Sequence, residues 1–156
     1  MFQTSGVNEE YCQDRYGILD KGSFNRRSCT MCYFFLFHGD SEFKPHAHTM
    51  EYLESKNASR STSRRLIAPD VKNATAMAIV CSTLDEQECA RWTECCTAAF
   101  DCCQSQVVNQ HTPSFLCPAT WDGYSCWGDT HPGQEVTKAC PDYVGYAVNS
   151  RSKYQI

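Results

Sequence analysis

The chain has 156 residues, enough for one domain with an additional irregular segment. Its hydrophobic fraction of 42% includes twelve cysteines, and its mean hydropathy is −0.49, which argues against a large aliphatic core. The net charge of −4 offers no basic face and argues against nucleic-acid binding. The cysteine density is instead typical of extracellular or lumenal proteins, in which disulfides stabilise a small core.

The first residues do not predict an export signal, because residues 1–6 contain neither a basic segment nor an apolar stretch. The longest apolar run, residues 31–37, is far shorter than the roughly 20 residues that a membrane-spanning helix needs. A chain with secretory chemistry but neither feature is interpreted as a fragment or alternative product of a longer protein.

Residues 1–75 are expected to form an irregular, cysteine-containing extension that ends in a basic polar linker at 56–75. Residues 1–55 show no sustained period of 2 or 3.6. The basic run in the linker could bind acidic lipid or a partner, but a solvated linker is favoured. Asn57 and Asn73 each begin a glycosylation triplet, which modestly supports an extracellular setting.

A metal site in this region is the main rival hypothesis from another functional class. Cys29, Cys32, His38, His46 and His48 supply thiolate and imidazole ligands of the kind that zinc binds. Their spacing is looser than in known structural zinc sites, and oxidation would remove the thiolates. The same Cys-x-x-Cys as a redox pair would require a βαβ setting, and none is evident. No paired carboxylates, nucleophile elbow or phosphate loop predicts an enzyme, and no cofactor is implied.

The clearest predicted element is an amphipathic helix over residues 83–106. Thr83 and Glu86 fit a capping box at its start. Cysteines seven residues apart on a helix lie roughly 10 Å apart, beyond the roughly 7 Å that a disulfide allows, so the five helix cysteines need partners elsewhere. Seven cysteines are available, but their pairing stays open. The predicted inner face comprises Leu84, Cys89, Trp92, Cys95, Cys96, Ala99, Phe100, Cys102 and Cys103.

The region from 117 to 145 is predicted to form short strands joined by tight turns. Asp122-Gly123 favours the positive φ angles of a hairpin turn, and Pro132-Gly133 is a second turn signal.

This region resembles the hormone-receptor domain of secretin-family (class B) G-protein-coupled receptors. The cysteines at 117, 126 and 140 follow a C-x8-C-x13-C spacing, with Asp122 five residues after the first, a Cys-Trp pair at 126–127, and Cys-Pro-Asp-Tyr from 140. The Trp-Asp-Gly and Cys-Pro-Asp-Tyr segments look nearest to calcitonin-like and pigment-dispersing-factor-like receptors.

The resemblance implies a small disulfide-rich α+β fold, in which an N-terminal helix packs on a β-hairpin. Residues 76–156 would form a partial domain, since the family's second hairpin and two cysteines after Cys-Pro-x-Tyr do not follow here. Those cysteines would be the partners of Cys117 and Cys140. Cys126 would pair with Cys102 or Cys103. The departures are Gly128, where the family usually has proline, and the additional cysteines on the helix.

The resemblance also implies roles for individual residues. Asp122, Trp127 and Pro141 would form the structural core, with the carboxylate accepting hydrogen bonds around the indole. Tyr124 would contact the peptide, together with Gly123 and Asp122 and, from the helix face, Trp92. A core role is nevertheless favoured over ligand contact for Trp92.

The function implied is binding of a peptide hormone, calcitonin-like or pigment-dispersing-factor-like, on the extracellular side of the plasma membrane. Signalling through a heterotrimeric G protein would belong to the full-length parent. A secreted decoy that binds hormone without signalling is the alternative within this class. With half of the family's groove missing, weak or absent peptide binding is expected of this chain alone.

Overall fold

The computed structural model describes residues 9–37, 41–57, 65–109 and 113–144, together with the backbone of Arg151–Gln155. It confirms the small disulfide-rich α+β class. The helices within these residues are α1 (Lys21–Leu36), α2 (Ala74–Cys81) and α3 (Glu86–Val108), with a 3-10 turn at Asp142–Val144. The strands are β1 (Tyr11–Asp14), β2 (Gly17–Asp20), β3 (Phe43–Pro45), β4 (Leu53–Ser55), β5 (Thr120–Trp121), β6 (Cys126–Trp127), β7 (Glu135–Ala139) and β8 (Arg151–Gln155).

Helix α3 packs against α1, α2, β1, β5, β6 and the 3-10 turn. It begins later than predicted, because the capping box uses Asp85 and Glu88 rather than Thr83 and Glu86. The Glu88 amide donates to the Asp85 carboxylate at 2.8 Å, and the Asp85 amide donates to Glu88 at 3.0 Å. Thr83 instead donates to the Val80 carbonyl at 2.7 Å, closing the turn after α2.

The N-terminal region differs from the irregular extension expected over residues 1–75. Residues 11–36 form the β1–β2 hairpin followed directly by α1, whose first turn is capped when the Asp20 carboxylate accepts from the Ser23 amide at 3.0 Å. Helix α1 buries Phe24 and Tyr33, but also Ser28 and Thr30. Polar residues on the buried face blur the hydrophobic period, which is why the sequence did not predict this helix.

The N-terminal hairpin and the predicted hairpin region form one sheet, with strand order β2-β1-β5-β6. Strand β1 runs parallel to β5, with Asp14 opposite Trp121, and the Arg15 amide donates to the Trp121 carbonyl at 3.0 Å. Gln106 of α3 exchanges two hydrogen bonds with the backbone of Gln13, at 2.6 and 3.0 Å. The predicted boundary at residue 75 therefore separates two segments that contribute strands to the same sheet and are joined by hydrogen bonds between β1 and α3.

Four disulfides join α3 to the rest of the described fold. They connect Cys12 with Cys103, Cys32 with Cys95, Cys81 with Cys89, and Cys102 with Cys126. All four helix cysteines in these bonds have partners off the helix, as the helix geometry requires. Around them lies a core that includes the fully buried side chains of Phe24, Tyr33, Leu53, Trp92 and Trp121.

Within the part of the chain that the structure describes, none of the helices combines the length and the apolar character needed to cross a bilayer.

Candidate functional site

The turn between β5 and β6 is organised by the carboxylate of Asp122. Its Oδ1 accepts from the amides of Tyr124 at 2.8 Å and Ser125 at 2.7 Å. Its Oδ2 accepts from the indole Nε1 of Trp127 at 2.7 Å, and only 2% of Trp127 is exposed. The carboxylate therefore fixes the turn and satisfies a buried donor at the same time.

Gly123 and Tyr124, at the tip of this turn, contact the end of α1. Gly123 has a φ of +107°, and a Cβ added there would lie 3.0 Å from Cε2 of Phe35. The rings of Phe35 and Tyr124 have centroids 5.3 Å apart. Tyr124 is half-buried, and burial, with the Asp122 charge as a second cause, raises the pKa of Tyr124 above its usual 10.0. Phe35 thus covers part of the residue expected to contact a ligand.

The Cys-Pro-Asp-Tyr segment closes the other side of the turn. Tyr143 is buried and donates its hydroxyl proton to the Tyr124 carbonyl. Burial is the main reason that the pKa of Tyr143 is raised, and Asp122 and Glu94 add to the effect. Pro141 is half-buried, and its carbonyl accepts from the Val144 amide at 3.1 Å, which starts the 3-10 turn.

Arg91 and Lys138 attach this segment to its surroundings. Arg91 Nε, on α3, donates to the Tyr143 carbonyl at 2.8 Å. The Lys138 ammonium lies 5.4 Å from the centre of the Trp127 ring and donates to the Cys126 carbonyl. Contacts from the helix, the turn and β7 therefore meet around the Asp122–Trp127 pair.

Trp92 lies away from any ligand-accessible surface. Its side chain has 0% exposure, and its Nε1 donates to the Cys29 carbonyl at 3.0 Å, which joins α3 to α1. This geometry corrects the placement of Trp92 among the ligand contacts, because a fully covered indole cannot touch a peptide in this conformation.

Only some of the cysteines predicted to form disulfides are bonded in the described structure. Cys126 is bonded to Cys102, one of its two expected partners, and Cys103 is bonded to Cys12 instead. Cys117 and Cys140 are not among the residues of the four described disulfides, and their role as crosslinks stays a prediction. The family resemblance puts their partners after Tyr143, where this sequence has no cysteine. The Cys117 backbone exchanges hydrogen bonds of 2.7 and 2.9 Å with Thr130.

The two predicted glycosylation residues are both exposed. Asn73 is the N-cap of α2, and its side-chain oxygen accepts from the amides of Thr75 and Ala76 at 3.1 Å. Asn57 is described, but the rest of its triplet, residues 58–59, lies outside the described residues. Glycosylation at both positions stays a prediction.

The residues of the zinc hypothesis do not converge. The thiol of Cys32 is consumed in the disulfide with Cys95, and His46 Nδ1 lies 3.4 Å from Glu54 Oε2. The rings of His46 and His48 lie edge to face with centroids 5.7 Å apart, while His38 lies outside the described residues. Among the residues that the structure describes, no three side chains of ligating type come close enough to hold a metal.

The sequence did not indicate Phe35 or the contribution of α1 to this site. The one available signal was the apolar run at residues 31–37, the longest in the chain, which requires a partner surface in water.

Comparison with known proteins places the resemblance on this same region. Residues 114–154 match the family model of the hormone receptor domain. The nematode receptor described as G-protein coupled receptor seb-2 (Caenorhabditis elegans) is 38% identical over 63 residues, covering 39% of this chain and 13% of the relative. No solved structure matches.

Vertebrate receptors show the same likeness. The calcitonin gene-related peptide type 1 receptor of Oncorhynchus gorbuscha is 43% identical over 49 residues, which are 30% of this chain and 10% of that receptor. The growth hormone-releasing hormone receptor of Mus musculus is 36% identical over 44 residues, 28% of this chain and 10% of that receptor. The chain spans about a tenth of the length of these relatives. The region from 114 to 154 is thus similar to the hormone receptor domain, and its predicted resemblance to class B G-protein-coupled receptors is confirmed.

Proposed function

We propose that this chain is part of the extracellular peptide-hormone-binding region of a class B G-protein-coupled receptor. One observation carries the proposal: the segment that matches the hormone receptor domain contains a fully formed centre in which Asp122 holds both the β5–β6 turn and the buried Trp127. A rigid turn of this kind can present neighbouring side chains to a ligand in a fixed geometry.

The ligand in this proposal is an amphipathic peptide helix whose apolar face packs on the turn. Tyr124 offers an aromatic surface that is still partly exposed, whereas Phe35 covers the neighbouring Gly123 and would have to move before a peptide could contact that backbone. The Asp122 carboxylate would support peptide binding by holding the turn in position, since its oxygens already accept three hydrogen bonds within the protein. Binding of an apolar helix face in a groove is a common mode of peptide recognition.

The peptide class follows from the relatives and not from the geometry. One relative is described as a receptor for calcitonin gene-related peptide and another as a receptor for growth hormone-releasing hormone. A calcitonin-like or pigment-dispersing-factor-like peptide is the partner that we propose. The parent receptor would lie in the plasma membrane with this region outside the cell, where four disulfides are stable, and would signal through a heterotrimeric G protein.

Direct binding to the purified, oxidised chain tests the proposal. Fluorescence anisotropy with labelled calcitonin gene-related peptide should show weak, saturable binding, weak because Phe35 already occupies one face of Tyr124. A scrambled peptide of the same composition serves as the ligand control. Tyr124→Ala should lower the affinity by about tenfold or more, the loss expected for an aromatic anchor at an interface.

Tyr11→Ala is the matched control variant, because Tyr11 is an exposed tyrosine on β1, at 49% exposure. It should leave the affinity unchanged. Equal binding of the native and scrambled peptides, or equal losses in the two tyrosine variants, would contradict the proposal.

A further inference from the structure

Two cysteines meet in the interior where α1 packs on α3, and neither belongs to the four disulfides. Cys29 of α1 and Cys96 of α3 both have 0% exposure. The Cys29 thiol is among the groups that raise the pKa of the Cys96 thiol, so the two thiols are neighbours. Two neighbouring thiols that are both shielded from water require a chemical explanation in a protein in which four other cysteine pairs are bonded.

Neighbouring contacts hold the two helices at a distance suited to a crosslink. Cys32, one turn after Cys29, is bonded to Cys95, which adjoins Cys96, and the Cα atoms of that bond are 6.0 Å apart. Cys29 itself is held to α3, because its carbonyl accepts from Trp92 Nε1 at 3.0 Å. Cys29 and Cys96 therefore lie beside two contacts that fix the spacing of the helices.

Other roles for buried thiols do not fit this position. A metal would need further ligating groups, and among the described residues no such cluster exists. A nucleophilic cysteine needs a lowered pKa and access to substrate, whereas burial, the contact with Cys29 and the charge of Asp70 raise the pKa of the Cys96 thiol well above its usual 9.0. The pair thus lacks the surroundings of a reactive site, and Cys96 also lacks the lowered pKa that a nucleophile needs.

We propose that Cys29 and Cys96 form a fifth disulfide in the mature protein, a second covalent link between α1 and α3 beside Cys32–Cys95. A low-molecular-weight disulfide such as oxidised glutathione supplies the oxidising equivalents. One cysteine thiolate attacks this disulfide and releases one glutathione thiolate. The second cysteine then attacks the mixed disulfide and releases the other, so that two protons and two electrons leave the protein.

The bond would form while the helices are docking, before the thiols are sealed in the core. In the folded state both sulfurs are inaccessible, and the raised pKa of Cys96 keeps its thiolate fraction low, so later oxidation would be slow. This pairing is independent of any peptide ligand, and it fixes Phe35 of α1 more firmly over Tyr124.

Differential alkylation tests the pairing on the whole chain, secreted into an oxidising medium. Free thiols are blocked with N-ethylmaleimide in denaturant, the disulfides are then reduced, and the released thiols are labelled with iodoacetamide. Fragment spectra assign one label to each cysteine. Cys29 and Cys96 should both carry the iodoacetamide label, as Cys32 and Cys95 do.

Cys96→Ser provides the control for partner identity, because labelling in denaturant does not require the variant to be well folded. Cys29 should then carry N-ethylmaleimide. The pairing is refuted if both residues of the unmodified chain carry N-ethylmaleimide, or if Cys29 remains oxidised in Cys96→Ser.

Discussion

The Asp122 carboxylate accepts three hydrogen bonds at the β5–β6 turn, and its removal tests how much the stability of the turn depends on them. Asp122→Ala leaves the buried Nε1 of Trp127 without its acceptor and deprives two backbone amides of theirs. We expect the free energy of unfolding in urea to fall by about 2–3 kcal/mol, the cost of a charged hydrogen-bonded group whose partners stay buried.

Asp129→Ala is the matched change, because this carboxylate accepts from the Ala119 amide at 2.7 Å from an exposed position. Its cost should be about 1 kcal/mol or less. Equal losses in the two variants would show that Asp122 has no special structural role.

Alanine substitutions at three glycines in the same region distinguish destabilisation by backbone strain from destabilisation by steric crowding. Gly123 and Gly133 both have positive φ angles, +107° and +79°, but only Gly123 has a neighbour, Phe35, within 4 Å of an added Cβ. Gly128 has neither feature. Gly133→Ala should lower the free energy of unfolding by about 1 kcal/mol through the positive φ alone. Gly123→Ala should lower it by more, because the added Cβ also meets Phe35, and Gly128→Ala should lower it least. Thermal unfolding of the three variants gives the order, and an equal cost at 123 and 133 would exclude crowding by Phe35.

At the scale of elements, the packing of α1 on the β5–β6 turn controls how much of Tyr124 is accessible. Phe35→Ala removes the ring that lies 5.3 Å from Tyr124. Burial is the largest cause of the raised pKa of Tyr124, so the variant should lower that pKa toward 10.0 and strengthen peptide binding. A spectrophotometric tyrosine titration and the anisotropy assay measure the two effects.

Phe34→Ala is the control for this prediction, since Phe34 adjoins Phe35 and is 42% exposed. It should leave both the titration and the peptide affinity unchanged. A titration of Phe35→Ala that coincides with that of the unmodified chain would show that α1 does not cover Tyr124.

The two main helices differ in how far the sequence predicts them, and the difference is physical. Helix α3 has an apolar, cysteine-bearing face and polar residues opposite, so its period of 3.6 is visible in the sequence. Helix α1 buries Ser28 and Thr30 beside Phe24, and the hydroxyl oxygens of both have no hydrogen-bond partner among the described residues. The hydrophobic period of such a helix is not visible in its sequence, so the helix is recognised only from the surface on which it packs.

In the hairpin region, the sequence predicted the contacts between nearby residues but not the contact with a distant helix. The positions of Asp122 and Trp127 carried the resemblance, and the structure brings them within hydrogen-bond distance at 2.7 Å. Spacing along the chain could not reveal Phe35, because its contact with Tyr124 joins residues almost ninety positions apart. Long-range contacts of this kind depend on the whole fold and leave little local trace.

For the whole molecule, the disulfides decide how strongly the N-terminal part is held to the rest. Replacing Cys12 and Cys103 by serine opens a bond between residues 91 positions apart, whereas the Cys81–Cys89 bond spans 8. Because Cys32–Cys95 already shortens the longer loop, the loop-entropy relation predicts losses of about 3–4 and about 2.5 kcal/mol, respectively.

Urea unfolding of the two double serine variants measures these losses. The Cys81–Cys89 pair serves as the control for the loss of any one bond. A smaller loss on removing Cys12–Cys103 than on removing Cys81–Cys89 would show that the N-terminal hairpin contributes little to stability. Sequence reasoning established only that helix cysteines pair off the helix, since the choice among partners depends on distances that the fold itself creates.

The order in which the chain is synthesised gives these long separations a further consequence. Cys12, Cys29 and Cys32 leave the ribosome well before α3, which carries the partners of Cys12 and Cys32 at 103 and 95. Any disulfide that forms among these three cysteines during that interval is a wrong pair, because the partners of Cys12 and Cys32 have not yet been made. Chains oxidised in this way need thiol–disulfide isomerisation to mature, so an added isomerase should raise the yield of the folded protein.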